Sequence, residues 1–113
     1  IYFSTLNQYK YHPAVVIAAE LGSEVRSAAR GKVSQIRNDE ETGTTLTMEL
    51  GNGYEAIYGQ LADLTVEEGD TIKAGTLIGY VGEPTKYYTL EGSNLYFQLL
   101  KDDDPVNPMD FLE

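Results

Sequence analysis

The chain has 113 residues, the size of one domain, and with 42% hydrophobic residues it can hide roughly 65% of its unfolded surface in a core. Its 18 acidic against 8 basic residues leave a formal charge of -10, a field that repels phosphate backbones and anionic lipid and excludes nucleic acid as an expected partner. There is no cysteine, so disulfides and thiolate metal sites are ruled out, and no run approaches the ~18 apolar residues of a membrane span.

The opening IYFSTLNQYK has neither the basic start nor the apolar stretch of a signal peptide, and the sequence begins at Ile1. Residues 1–10 are therefore expected to be an N-terminal extension from a longer parent chain, with residues 11–113 forming the domain. Membrane contact is expected only through other parts of that parent. The run AVVIAA at 14–19 is short and β-branched, which predicts a buried strand. Two further strands are predicted at 24–28 and 32–37, with Gly31 as the bend between them. NDEETG at 38–43 is a polar turn, and TTLTMEL then alternates so that Leu46, Met48 and Leu50 share a face.

Gly51-Asn52-Gly53 is a hairpin signal, because Gly and Asn tolerate the positive φ that tight hairpin turns require. YEAIYGQ returns antiparallel, with Tyr54, Ala56, Tyr58 and Gln60 predicted on one face. Glycines at 69, 75, 79 and 82 predict tight corners between short apolar runs. Residues 21–33 and 68–81 echo each other weakly, each running from Gly through a β-branched residue and a basic residue to a second Gly. A long loop spans 83–93, NLYFQLL is the last strand, and a charged turn leads to an apolar anchor at Met109, Phe111 and Leu112. No helix of any length is predicted, so the fold class is all-β.

In order, the landmarks are His12 with AVVIAAELGSEV, then GKV, GNGYEAIYGQL, VEEGDTIKAGTLIGYVG, SNLYFQLL and DPVNPMDFL. This order resembles the catalytic domain of the LytM and lysostaphin type of zinc endopeptidase over roughly residues 11–112. The resemblance implies a small antiparallel β-sandwich or barrel-sandwich hybrid. In that family zinc is held by a His, an Asp four residues later and the second His of a His-x-His strand, while the first His of that pair and the His of Tyr-x-His-Leu assist catalysis. Residues i and i+2 of a strand face the same side, so His-x-His aims two imidazoles into one cleft.

Carried over by position, the resemblance matches the first ligand with His12, but places Val16 at the Asp position, Gln60 and Asn94 at the two catalytic His positions, and Tyr96 at the second His ligand. A catalytic zinc needs three protein ligands and an open position for water. Val16 has no lone pair, Tyr96 ionises only near pH 10, and His12 is the only His in the chain. Replacement ligands would have to be carboxylates such as Glu20 or Asp63. Zinc, the family's cofactor, is therefore not expected, nor is calcium at Asp39-Glu40-Glu41 or Asp102-Asp103-Asp104, whose charges read as solvated turns.

The functional expectation is an inactive, peptidase-like domain of the bacterial envelope that binds a peptidoglycan peptide or an envelope protein. Its groove would be lined by His12, Gln60, Tyr87, Tyr88, Asn94 and Tyr96, and its setting would be extracytoplasmic. The alternative is an active zinc endopeptidase cleaving peptidoglycan cross-bridges. A third class, a biotinyl or lipoyl carrier, shares the GDTIKAG double turn, but Lys73 precedes the second Gly instead of standing at the hairpin tip after it.

Overall fold

The computed structural model describes residues 15–85 and 92–106. Residues 1–14, 86–91 and 107–113 fall outside that description, and with them the N-terminal extension, His12, Tyr87, Tyr88 and the Met109, Phe111 and Leu112 anchor. The described part is all-β: β1 (Val15–Ala18), β2 (Glu24–Arg26), β3 (Gly31–Asp39), β4 (Gly43–Gly51), β5 (Tyr54–Ala62), β6 (Thr71–Ile72), β7 (Leu77–Val81), β8 (Asn94–Lys101) and β9 (Asp104–Val106). All pairings are antiparallel, in the order β1-β8-β5-β4-β3-β6, with β7 joining β5 to β2 and β9 pairing β8.

The β4–β5 hairpin turns where the sequence says it should. Asn52 and Gly53 both have positive φ, 55° and 83°, as a two-residue turn between right-twisted strands requires. The core forms on the face where Val33, Met48 and Ala56 stand side by side on β3, β4 and β5, together with Leu46, Tyr58, Phe97 and Leu99. Tyr58 and Phe97 are cross-strand partners whose rings lie 5.1 Å apart at 57°. The Tyr58 hydroxyl accepts the Ala28 N–H at 3.0 Å, so the one polar atom of this large core side chain is satisfied.

The two echoing segments interlock. β2 pairs β7 and β3 pairs β6, and between them Ser27 N–H donates to Thr76, Gly75 N–H to Ser27, Val33 N–H to Asp70 and Gly69 N–H to Val33. Each segment thus supplies the hydrogen-bond partners that the other's short strands lack.

Several expectations need correction. β1 is not buried: Val16 and Ile17 are 37% and 41% exposed, β1 being the edge strand of the described sheet, paired only with β8. The strand predicted at 24–28 ends at Arg26, where the register with β7 shifts. Gly31 is no bend but the first residue of β3, where a Cβ would collide with the Glu49 carbonyl oxygen of β4. Of the four predicted corner glycines only Gly69 and Gly75 have positive φ; Gly79 and Gly82 are small because Leu64 and Leu61 press against them. The alternation of β5 also fails at its end, as described next.

Candidate functional site

Four of the residues singled out in the sequence meet where β1, β8 and β5 run side by side. Val16 is directly opposite Tyr96, and Tyr96 is directly opposite Gly59, so three strands present one row. Asn94, two residues before Tyr96 on β8 and opposite Ala18, lies on the same face of the strand, away from Phe97 and Leu99 in the core. Gly59 must be small: a Cβ there would meet the Thr42 Cβ and carbonyl oxygen at 3.0 Å and the Tyr96 Cβ at 3.2 Å.

Gln60 follows Gly59 with φ of 62°, a left-handed backbone that a side chain larger than Gly adopts only under constraint. The constraint is visible. Its N–H donates to the Thr42 carbonyl at 2.6 Å, and its carbonyl accepts the Gly82 N–H at 2.7 Å. This twist removes Gln60 from the simple alternation that would put it on the Tyr58 face, and its side-chain Oε1 accepts the Thr85 N–H at 3.1 Å instead. Gln60 is 1% exposed and Asn94 0%. Asn94 Nδ2 donates to the Gly92 carbonyl at 2.7 Å. The opposite ends of the two amides, Gln60 Nε2 and Asn94 Oδ1, are buried with no partner among the described residues.

Thr42 links this floor to the acidic β3–β4 turn. Its hydroxyl shares a 2.7 Å hydrogen bond with that of Thr45, so each of these buried threonines satisfies the other. Asp39 Oδ1 accepts the N–H groups of Glu41 and Thr42, and these bonds hold its carboxyl below the usual carboxylate range. The Asp39 carboxylate therefore works as a turn clamp. At the other acidic run, Asp102 and Asp103 have positive φ of 51° and 71° in the turn to β9. Two open cavities, of about 370 and 360 Å³, lie elsewhere; neither lining includes Gln60, Asn94 or Tyr96.

Zinc does not fit the donors on this face. Val16 offers hydrocarbon, Gln60 and Asn94 offer amides and Tyr96 a phenol, while a catalytic zinc takes three imidazole, carboxylate or thiolate ligands. Among the described residues no three His, Cys, Asp or Glu side chains come together as a metal would need. Glu20 and Asp63 are both exposed and complete no such group. The fold brings Val16, Gln60, Asn94 and Tyr96 to neighbouring positions on β1, β5 and β8, with Thr42, Gly59 and Thr85, which the sequence did not single out, against them. Nothing local marks Thr42 or Thr85, because their contacts to Gln60 are made across the fold.

A model of the family described as Peptidase family M23 matches residues 10–108. Stage II sporulation protein Q of Bacillus subtilis is 27% identical over 95% of this chain, which spans 38% of that protein. Murein hydrolase activator EnvC of Escherichia coli is 30% identical over 87% of this chain, which spans 23% of EnvC. Among solved structures, the catalytic domain of the antimicrobial peptidase lysostaphin from Staphylococcus simulans superposes with a TM-score of 0.78 at 26% identity, covering 89% of this chain and 78% of that one. A crystal structure of the SpoIIIAH and SpoIIQ complex matches with a TM-score of 0.72 at 28% identity, covering 78% of this chain and 61% of that one. The fold is thus the antiparallel all-β fold of lysostaphin-like domains.

Proposed function

The chain belongs to peptidase family M23, and from that premise we propose that it is a member that binds without cutting, a docking module of the extracytoplasmic bacterial envelope. One observation carries the reading. At the row where the family resemblance assigns two ligands of one zinc, the chain pairs Val16 with Tyr96, a hydrocarbon with a phenol. Gln60 and Asn94, at the positions assigned to the catalytic histidines, are neutral amides that neither take up a proton at neutral pH nor activate water.

The ligand is a peptidoglycan peptide or an envelope protein. Two relatives support a protein ligand: EnvC is named as a murein hydrolase activator, and SpoIIQ is seen in complex with SpoIIIAH.

The test is incubation of the purified domain with cross-linked peptidoglycan, followed by sedimentation and analysis of the supernatant. Co-sedimentation with no released peptides is the expected result. Peptide release that a chelator abolishes overturns the proposal. A domain that stays in the supernatant and releases nothing moves the ligand from the wall peptide to the envelope protein.

A further inference from the structure

A leucine stands at a turn tip where a polar residue is the usual choice. Residues 20–23 form a tight turn between β1 and β2, closed by the Ser23 N–H donating to the Glu20 carbonyl at 3.0 Å, with Gly22 at φ of 85°. The turn is stitched to β7: the Gly22 N–H donates to the Val81 carbonyl at 2.8 Å, and the Val81 N–H donates to the Ser23 carbonyl at 2.9 Å. Leu21, at the tip, is 56% exposed, the most exposed large hydrophobic side chain among the described residues. Nothing in the turn's own geometry calls for a leucine there.

Beside Leu21 lies the open cavity of about 360 Å³, within the size range of ligand pockets. Its floor is the place where β5 passes to β7, with Ala62 directly opposite Tyr80. Gly82 closes one side and must be small, since a Cβ there would meet the Leu61 carbonyl oxygen at 3.0 Å and the Ala62 Cβ at 3.2 Å. The lining is mostly hydrocarbon. The charged side chains that line it are both acidic, Asp63 and Glu83, and both are exposed. No ion pair among the described residues engages either of them.

Scattered surface leucines need no explanation, but this one is held rigidly over an apolar hollow whose rim has a single sign of charge. The rim selects the occupant. A second copy of the chain brings a charge of -10 against it, and the chain's own apolar anchor at Met109, Phe111 and Leu112 carries Asp110 and Glu113. An apolar group flanked by cations meets both the hollow and the rim. Exposed charge pairs add little affinity, yet they discriminate strongly against a partner of the wrong sign.

We propose that the cavity beside Leu21 is a docking pocket for a segment of a partner protein that carries one apolar side chain between basic residues. The apolar group packs on Leu21, Ala62 and Tyr80, and the cations face Asp63 and Glu83. This goes beyond the metal-free row of β1, β8 and β5, none of whose residues lines the cavity, so metal-dependent cleavage at that row would remove the reading above and leave this one standing.

The experiment titrates the ¹⁵N-labelled chain with three end-blocked tripeptides, Lys-Phe-Lys, Glu-Phe-Glu and Lys-Ser-Lys, and follows the backbone N–H signals of Gly22, Ala62, Asp63 and Gly82. Saturable shifts with Lys-Phe-Lys alone are expected. An equal response to Glu-Phe-Glu shows that charge is not read, an equal response to Lys-Ser-Lys shows that the hollow is not used, and either overturns the inference, as does no response to any of the three. Leu21→Ser, at an exposed position, is expected to abolish the response, and Asp63→Asn with Glu83→Gln to bring Lys-Phe-Lys down to the level of Glu-Phe-Glu; an unchanged response in either variant overturns the assignment. The same signals moving on simple concentration of the chain give the pocket to a second copy. Their moving in Phe3→Ser or Phe111→Ser without peptide gives it to the chain's own ends, and both results overturn the proposal.

Discussion

Val16 on β1 and Tyr96 on β8 stand directly opposite each other in antiparallel register, and Tyr96 is in turn opposite Gly59 on β5. Directly opposed side chains have Cβ atoms about 4.5–5.5 Å apart, close enough for two ligands to share one metal. The backbone here could set two ligands against one metal, but the side chains present are a hydrocarbon and a phenol. Gly59 keeps the row compact, since any side chain there would push against Thr42 and Tyr96.

Gly59→Ala accordingly destabilises the domain by about 1–3 kcal/mol, the usual range for overpacking a close-packed site. Denaturant unfolding measures this. The loss is accompanied by shifted backbone signals at Thr42 and Tyr96, the atoms that would have to yield.

Met48→Ala costs more, about 2–5 kcal/mol, because Met48 is fully buried between Val33 and Ala56 and its removal opens a cavity. The drop in unfolding midpoint at an unchanged denaturant slope is the measurement, and a change within about 0.5 kcal/mol, typical of surface sites, would show that the core is not centred on this row.

Tyr58 sets the alkaline limit. Burial pushes its phenol above the ordinary value of 10.0, and the hydrogen bonds from Ala28 and with Ser27 only partly oppose that. A group that holds its proton more tightly when folded contributes stability below its unfolded pKa, and that contribution is lost as pH rises from about 10 toward the higher folded value. Thermal midpoints should fall over that window. Tyr58→Phe should flatten this alkaline slope while lowering stability near neutrality by about 1 kcal/mol through the lost acceptor for Ala28.

Asp39 sets an acid response of the opposite sense. Its carboxyl is held below the ordinary value of 3.8 by the N–H groups of Glu41 and Thr42, so its contribution is present above the ordinary carboxylate range and is lost as pH falls below it. Asp39→Ala should loosen the β3–β4 turn at neutral pH and remove part of the acid dependence. Hydrogen exchange at the Glu41 and Thr42 amides reads this directly.

Several strands and the β4–β5 hairpin were legible because the signals were local: the Asn52-Gly53 turn, the period of Leu46 and Met48, and the glycine turns at 69 and 75 all specify backbone within a few residues; the sheet order and β9 were not. Val16, Gln60, Asn94 and Tyr96 were legible only through family resemblance, since nothing in their own neighbourhoods marks a site. What the sequence did not reveal was set by distant contacts. The left-handed backbone of Gln60 depends on Thr42 and Gly82, and the exposure of β1 depends on its place at the edge of the described sheet. Periodicity assigned Gln60 to the Tyr58 face because alternation assumes an unbroken strand.

The central claim, that this M23 domain binds without a metal, is tested most directly by titrating zinc into the metal-free chain and into Val16→Asp/Tyr96→His, with calorimetry as the readout. The account predicts no tight site in the unsubstituted chain and a gain of zinc affinity in the double variant, whose two new ligands would stand opposite each other across β1 and β8. A tight one-to-one zinc site in the unsubstituted chain would contradict it.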